Sequence, residues 1–254
     1  MTDPALRRAS TFAGLLLLVQ AIVLAIILAA TQSQVLLPIT ALLSGGQDGS
    51  TERFVLARLD LGVGVVVLCV LVAVARLVTA VPKGMSLYGD ALQSNGRAVR
   101  RIEFAFSSSI TVLLVAELNG ISDVGTLVLS YAITSGVTLF SVLQDRAPET
   151  TGRMLPLWFA AAIGIVPWGV IAYHQVGALI VGDPPSVMAR VITLTMLVFY
   201  LAHFLSQWRE QRVAATGALP AAERRYVLLS LGGTSVFAWL VVLGVVGATG
   251  GAGV

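Results

Sequence analysis

Charge is scarce in this sequence. Only 11% of its 254 residues are Asp, Glu, Lys or Arg, against about a quarter in a soluble globular chain, and 57% are hydrophobic. That balance excludes a water-soluble domain and points to an integral membrane protein. Lysine is nearly absent, with Lys83 the sole one. Cysteine is equally rare. Cys69 stands alone, so no intrachain disulfide is possible, and its place in an apolar run marks it as a small buried hydrophobe. The two histidines, His174 and His203, lie far apart, and no Cys/His or His/carboxylate spacing suggests a metal site. No phosphate-cradling glycine loop, nucleophile elbow or catalytic pair is evident, which argues against an enzyme. The formal charge of +3 sits in short basic clusters between apolar runs, so it does not suggest nucleic acid as a partner.

Apolar runs are what the chain does have. A bilayer core of ~30 Å takes about 20 apolar helical residues. Seven stretches qualify: roughly 12–31, 54–81, 99–118, 124–143, 155–174, 187–208 and 226–249. They predict an all-α, single-domain bundle of seven transmembrane helices over residues 1–254. The long gap 32–53 contains "QVLLPITALL" and suits a hairpin or re-entrant segment. The first run is longer than the ~7–15 residues of a signal-peptide core, which favours a retained helix. Arginines and Lys83 cluster at one side: Arg7 and Arg8, then Lys83, Arg97, Arg100 and Arg101, then Arg146 and Arg153, then Arg209, Arg212, Arg224 and Arg225. The opposite side has Arg53, with Arg58 and Arg190 just inside helix ends. Positive residues stay inside, so the N-terminus is expected in the cytoplasm and the C-terminus outside.

Polar residues within these runs are the site candidates, because an unpaired polar group in hydrocarbon is costly. In "RRIEFAFSSSITVLLVAEL", Glu103 and Ser107 are four apart and share a helix face. Glu103 either points inward or pairs with Arg100 or Arg101 at the interface. The three serines 107–109 cannot all face one way; at least one can line an interior while the others bond backbone carbonyls or a neighbouring helix. In "YVLLSLGGTSVFAWLVVLG", Ser230 and Thr234 share a face, and Gly232 and Gly233 permit close approach of a helix or ligand. Trp239 faces either the interior or lipid. Pro167 interrupts the fifth run and should kink it, with Trp168 beside the kink shaping a pocket or contacting lipid. Arg58, Asp60 and Arg76 are expected to snorkel to the interfaces.

These motifs, in this order, resemble the heliorhodopsins, seven-helix rhodopsins with a cytoplasmic N-terminus. The resemblance covers nearly the whole chain and is carried by "RRIEFAFSSS" with "AELNGISD", "LPLWFAAAIGIVPW" and "ERRYVLLSLGGTSVFAW". It implies a retinal held through a Schiff base to a lysine of the seventh helix, with Glu103 at the counterion position. It also implies Ser107 and Ser230 near the Schiff base, pocket positions at Pro167, Trp168 and Trp239, a hairpin in the long first external loop, and a homodimer. The family's seventh helix has its lysine four residues after the serine, which is Thr234 here. A Schiff base needs a primary amine, and a hydroxyl supplies none. Lys83, in a loop, cannot reach a mid-bundle pocket without refolding. Histidines that some relatives carry in helices one and two align with Leu17 and Arg76.

The sequence therefore predicts a heliorhodopsin-like regulatory, sensory or small apolar ligand-binding protein of the plasma membrane without covalent retinal. Glu103, lacking its cation, is expected to be protonated or paired with an arginine. No covalently bound cofactor is expected, the sequence is compatible with non-covalent retinal or a lipid-like ligand, and a signalling partner is expected at the basic cytoplasmic loops. The alternatives are a light sensor holding retinal non-covalently, and a transporter or channel, for which few charges are present to line a route.

Overall fold

The computed structural model describes residues 4–44, 51–81, 98–146, 154–213 and 219–250. The loop residues Lys83, Arg97 and Arg153, and the tip of the long gap at 45–50, lie outside that set. Among the described residues the order is α1 (Pro4–Thr31), β1 (Leu36–Ser44), β2 (Thr51–Asp60), α2 (Leu61–Ala80), α3 (Ala98–Leu118), α4 (Val124–Arg146), α5 (Leu155–Gly164), α6 (Val166–Val181), α7 (Val187–Val213) and α8 (Leu219–Gly250). Helices α5 and α6 form one span with a break, giving seven layers in the bundle. Six of the seven are long and apolar enough to cross a membrane. The other is α3, where Arg101, Glu103 and Glu117 lower the hydropathy of a helix whose Val112, Leu114, Val115 and Ala116 are buried in the common core.

Apolar spacing decides which faces meet. Leu17, Ala21 and Leu24 of α1 follow the helical repeat and are buried against Leu61, Val65, Leu68, Cys69 and Val72 of α2. Phe237, Val241 and Val245 of α8 close the same core. Cys69 is fully buried. Helix α8, at 32 residues, is about 48 Å long and exceeds the ~30 Å hydrocarbon layer, so its ends reach past the apolar zone.

The second span is shorter than its hydropathy suggests. Phe54–Asp60 is strand, not helix: β1 and β2 pair antiparallel from Leu36↔Asp60 to Ser44↔Thr51, with a bulge at Ile39/Thr40. Asp60 is not a snorkelling charge; its Oδ1 accepts from Val63 N at 3.1 Å and caps α2. Arg58 is on the exposed strand, opposite Pro38. The strand's large apolar residues Phe54, Val55 and Leu56 had merged with the true span in the sequence. The hairpin docks on the α3–α4 connection, where Thr40 N donates to Ser122 O at 2.7 Å.

The α5/α6 break falls at Ile165, two residues before Pro167. Proline has no N–H to return to Ile163, and its ring crowds the preceding turn. Gly164 at the break has a packing role as well: a Cβ there would run into the Tyr200 hydroxyl of α7. Gln144 of α4 steadies the start of α5, its Oε1 accepting from Leu157 N at 3.0 Å. At the far end Gly182, with φ 82°, terminates α6 in the left-handed conformation that suits glycine.

Candidate functional site

Two buried charges meet between α2, α3 and α8. Glu103 of α3 accepts from Arg76 Nη2 of α2 at 2.8 Å and from the Tyr226 hydroxyl of α8 at 2.5 Å, both on Oε2. Its Oε1 receives a long contact from Ser230 Oγ at 3.5 Å. The Arg76 and Glu103 side chains are 7% and 9% exposed, and the guanidinium lies 4.8 Å from the centre of the Tyr226 ring. Three helices thus supply one carboxylate and its partners. Tyr226, Ser230 and Thr234 are spaced by four residues, so one face of α8 presents all three.

Arg76 does not snorkel. It is buried because α2 places it toward α3 and α8, where a carboxylate, a phenol and a ring face offset its desolvation. Of the two expectations for Glu103, pairing with an arginine is the one realised. That arginine, Arg76, comes from the neighbouring helix α2.

Beyond this cluster lies a cavity of about 60 Å³. Phe104, Ser107, Ser108, Thr111 and Val112 of α3 line it, with Trp168 of α6. Met196, Phe199, Tyr200 and His203 of α7, and Ser230, Gly233 and Thr234 of α8, complete the wall. Gly232 and Gly233 leave room for the Phe199 ring, which comes within 3.3 Å of where a Gly233 Cβ would stand. Trp168 packs on Tyr200 with ring centres 5.7 Å apart. His203 stacks on Phe104 at 5.0 Å and meets Tyr226 edge-on at 6.0 Å. A smaller cavity of about 20 Å³ adjoins the same Phe104 and His203 and is lined by Arg101, Glu210 and Tyr226.

The serines divide as their spacing requires. Ser107 and Ser108 face the cavity, and Ser108 Oγ donates to Phe104 O at 2.5 Å. Ser109 is fully buried on the other side, sharing a 2.9 Å hydrogen bond with Ser135 of α4. Ser107, Trp168, Ser230 and Thr234 share the cavity wall, and Glu103 adjoins it through Ser230. Pro167 is buried at the start of α6 but is not on the cavity wall. Of the two orientations open to Trp239 the outward one is found: it is 36% exposed and is not on the cavity wall. Five residues beyond Thr234 is about 140° around the helix, while Phe237, Ala238 and Val241 take the inner face.

Sequence reasoning missed Arg76, Tyr226, Phe104, Phe199, Tyr200 and His203. Tyr226 was findable, one turn before Ser230 on the same face. The one signal for Arg76 is its alignment with a histidine that some relatives carry, since nothing local tells an inward arginine from a snorkelling one. A second polar cluster joins α3, α6 and α7 at the hairpin end: Asn119 Nδ2 donates to Thr193 Oγ1 at 2.8 Å and Asn119 Oδ1 accepts from Gln175 Nε2 at 2.7 Å. Among the described residues no group of three or more His, Cys, Asp or Glu could hold a metal ion.

No curated protein matches the chain. Among solved structures it is similar to a light-driven proton pump from Leptosphaeria maculans, with a TM-score of 0.64 at 11% identity over 96% of both chains. At that identity the likeness concerns the fold: a rhodopsin-like bundle. The sequence model of the Heliorhodopsin family matches residues 6–246, nearly the entire length. The chain belongs to the heliorhodopsin family.

Proposed function

We propose that this protein is a retinal-free heliorhodopsin, a non-enzymatic regulatory or sensory membrane protein that binds a small apolar ligand in the cavity between α3, α6, α7 and α8. The observation that carries this reading is the bond between Arg76 and Glu103 at 2.8 Å. A carboxylate inside a bundle needs a cation, and Arg76, with Tyr226, provides for it from within the protein. The cavity lining does not fit a covalently attached retinal: it offers hydroxyls, aromatic rings, a thioether and an imidazole, but no primary amine. Thr234 occupies the wall where the family's attachment lysine would be counted.

The remainder of the reading follows the charge pattern and the family. The N-terminus lies in the cytoplasm of a plasma-membrane protein, the C-terminus outside, and the basic cytoplasmic loops receive a signalling partner. Two copies form a homodimer.

The test is spectroscopic. All-trans retinal is added to the purified protein and to empty detergent or nanodiscs, and absorbance is recorded before and after borohydride reduction. The expected result is no red-shifted band and no retinal linked to protein. A saturable visible band without linkage would support non-covalent light sensing instead, and a linked chromophore would end the retinal-free reading. Ion flux in liposomes, lost on Glu103→Gln, would favour a channel or transporter.

A further inference from the structure

We infer that the ligand of the α3/α6/α7/α8 cavity is a neutral molecule whose head group is a hydroxyl. This rests on the reading that the cavity binds a ligand at all, and it concerns which chemistry the walls select.

The hydrogen-bonding character of the wall is set by what its groups already do. Ser108 Oγ donates to Phe104 O at 2.5 Å, and Thr111 Oγ1 donates to Ser107 O at 2.8 Å. A hydroxyl has one proton. With it committed to the helix backbone, each of these side chains offers the cavity lone pairs only. Trp168 is the opposite case. It is 5% exposed, lines the cavity, and its Nε1 has no hydrogen-bond partner. An indole N–H can only donate, and a buried donor left unmade is costly. The wall therefore sets the Trp168 donor among acceptors, and the Ser107, Tyr200 and Thr234 hydroxyls can serve either role. The complementary head group both accepts and donates, as an alcohol does. A carbonyl or carboxylate accepts only, and an ammonium donates only.

Charge narrows the choice further. The carboxylate nearest the cavity is bonded to Arg76 and Tyr226, so a cationic ligand would find Glu103 already neutralised. An anionic ligand would bring an unbalanced charge into the bundle. The void of about 60 Å³ has space for roughly four waters, enough for a head group and the first part of a chain. Met196, with three rotatable bonds, is the lining side chain that can yield to the rest.

The experiment uses four probes with one ten-carbon isoprenoid chain and different heads: geraniol, geranial, geranylamine and geranic acid. Binding to the full-length protein in nanodiscs is measured calorimetrically against empty nanodiscs. Geraniol is expected to bind saturably, one per chain, and roughly three- to tenfold more tightly than each of the others. Thr111→Val should weaken geraniol and leave geranial unchanged, while Trp168→Phe should weaken both. Should Trp168→Phe fail to fold, the near-isosteric Thr111→Val still decides between alcohol and aldehyde. Geranial binding as tightly as geraniol overturns the donor-and-acceptor assignment. So does tighter binding of the amine or the acid, and in each of these cases the ligand-binding reading stands. Saturable binding by none of the four overturns both and leaves the cavity a water site.

Discussion

Arg76 and Glu103 carry opposite charges where neither could stand alone. Removing one partner strands the other, so Arg76→Gln is expected to lower stability by about 3–5 kcal/mol. Arg76→Gln/Glu103→Gln should recover much of that loss, because two neutral amides can bond one another. Equilibrium unfolding in mild detergent, run as a double-mutant cycle, reads the coupling. Purely additive losses would mean that the pair contributes nothing as a pair. Tyr226→Phe removes a hydrogen bond to a charged acceptor and should cost about 1.5–3 kcal/mol in the parent, and much less in the Glu103→Gln background. Half of this cluster is legible in the sequence. Glu103 and Ser230 announce themselves as polar residues in apolar helices, and their spacing to Ser107 and Thr234 fixes the faces they share. Arg76 does not, since it is an ordinary residue near a helix end, and Tyr226 shows only in its four-residue spacing to Ser230. Only the three-dimensional approach of α2 and α8 to α3 gives them a common target.

Among the elements, the α5/α6 break and the hairpin end show different degrees of legibility. Pro167 predicts a broken helix, and the break is there. The role of Gly164 is invisible from sequence because it depends on Tyr200, 36 positions later. Gly164→Ala should destabilise by about 1–3 kcal/mol through overpacking, and Tyr200→Phe in the same chain should recover part of the loss by removing the hydroxyl that the new methyl meets. If thermal unfolding shows no recovery, the glycine is needed for its backbone and not for the space. Hydropathy cannot separate a strand with large apolar residues from the span it leads into, so the Asp60 cap alone marks the start of α2. Asp123 caps α4 in the same way. Its carboxylate accepts from Thr126 N at 2.7 Å and Thr126 Oγ1 at 2.9 Å, and these bonds hold its pKa below the usual aspartate value. A group depressed in the folded state stabilises above its unfolded pKa, near 3.9, and loses that contribution as pH falls through the lower folded value. Asp123→Ala should therefore cost about 1 kcal/mol at neutral pH, with the difference from the parent shrinking below about pH 4. A pH-independent difference in unfolding midpoint would refute the charged-cap account.

At the scale of the whole molecule, the buried Arg76–Glu103 pair beside the cavity governs how that part of the bundle can be changed. Thr234 lines the same cavity as Ser230, one turn away, and Ser230 touches Glu103. An amine introduced by Thr234→Lys would enter a region whose one carboxylate already has a guanidinium, placing two cations against one anion in a low-dielectric interior. The single variant is thus expected to fold less stably than the parent and to gain little or no red-shifted colour with retinal. Removing the competing cation restores the balance. Thr234→Lys/Arg76→Gln is expected to be more stable than Thr234→Lys alone and to yield a red-shifted, borohydride-sensitive band. Absorbance titration with retinal and unfolding midpoints on the same three proteins, parent included, measure both quantities. Strong colour in Thr234→Lys with Arg76 intact would show that the arginine does not compete for Glu103. Loss of colour in both variants, with folding preserved, would show that the walls around Phe199, Tyr200 and Trp168 have closed the space that such a chromophore needs.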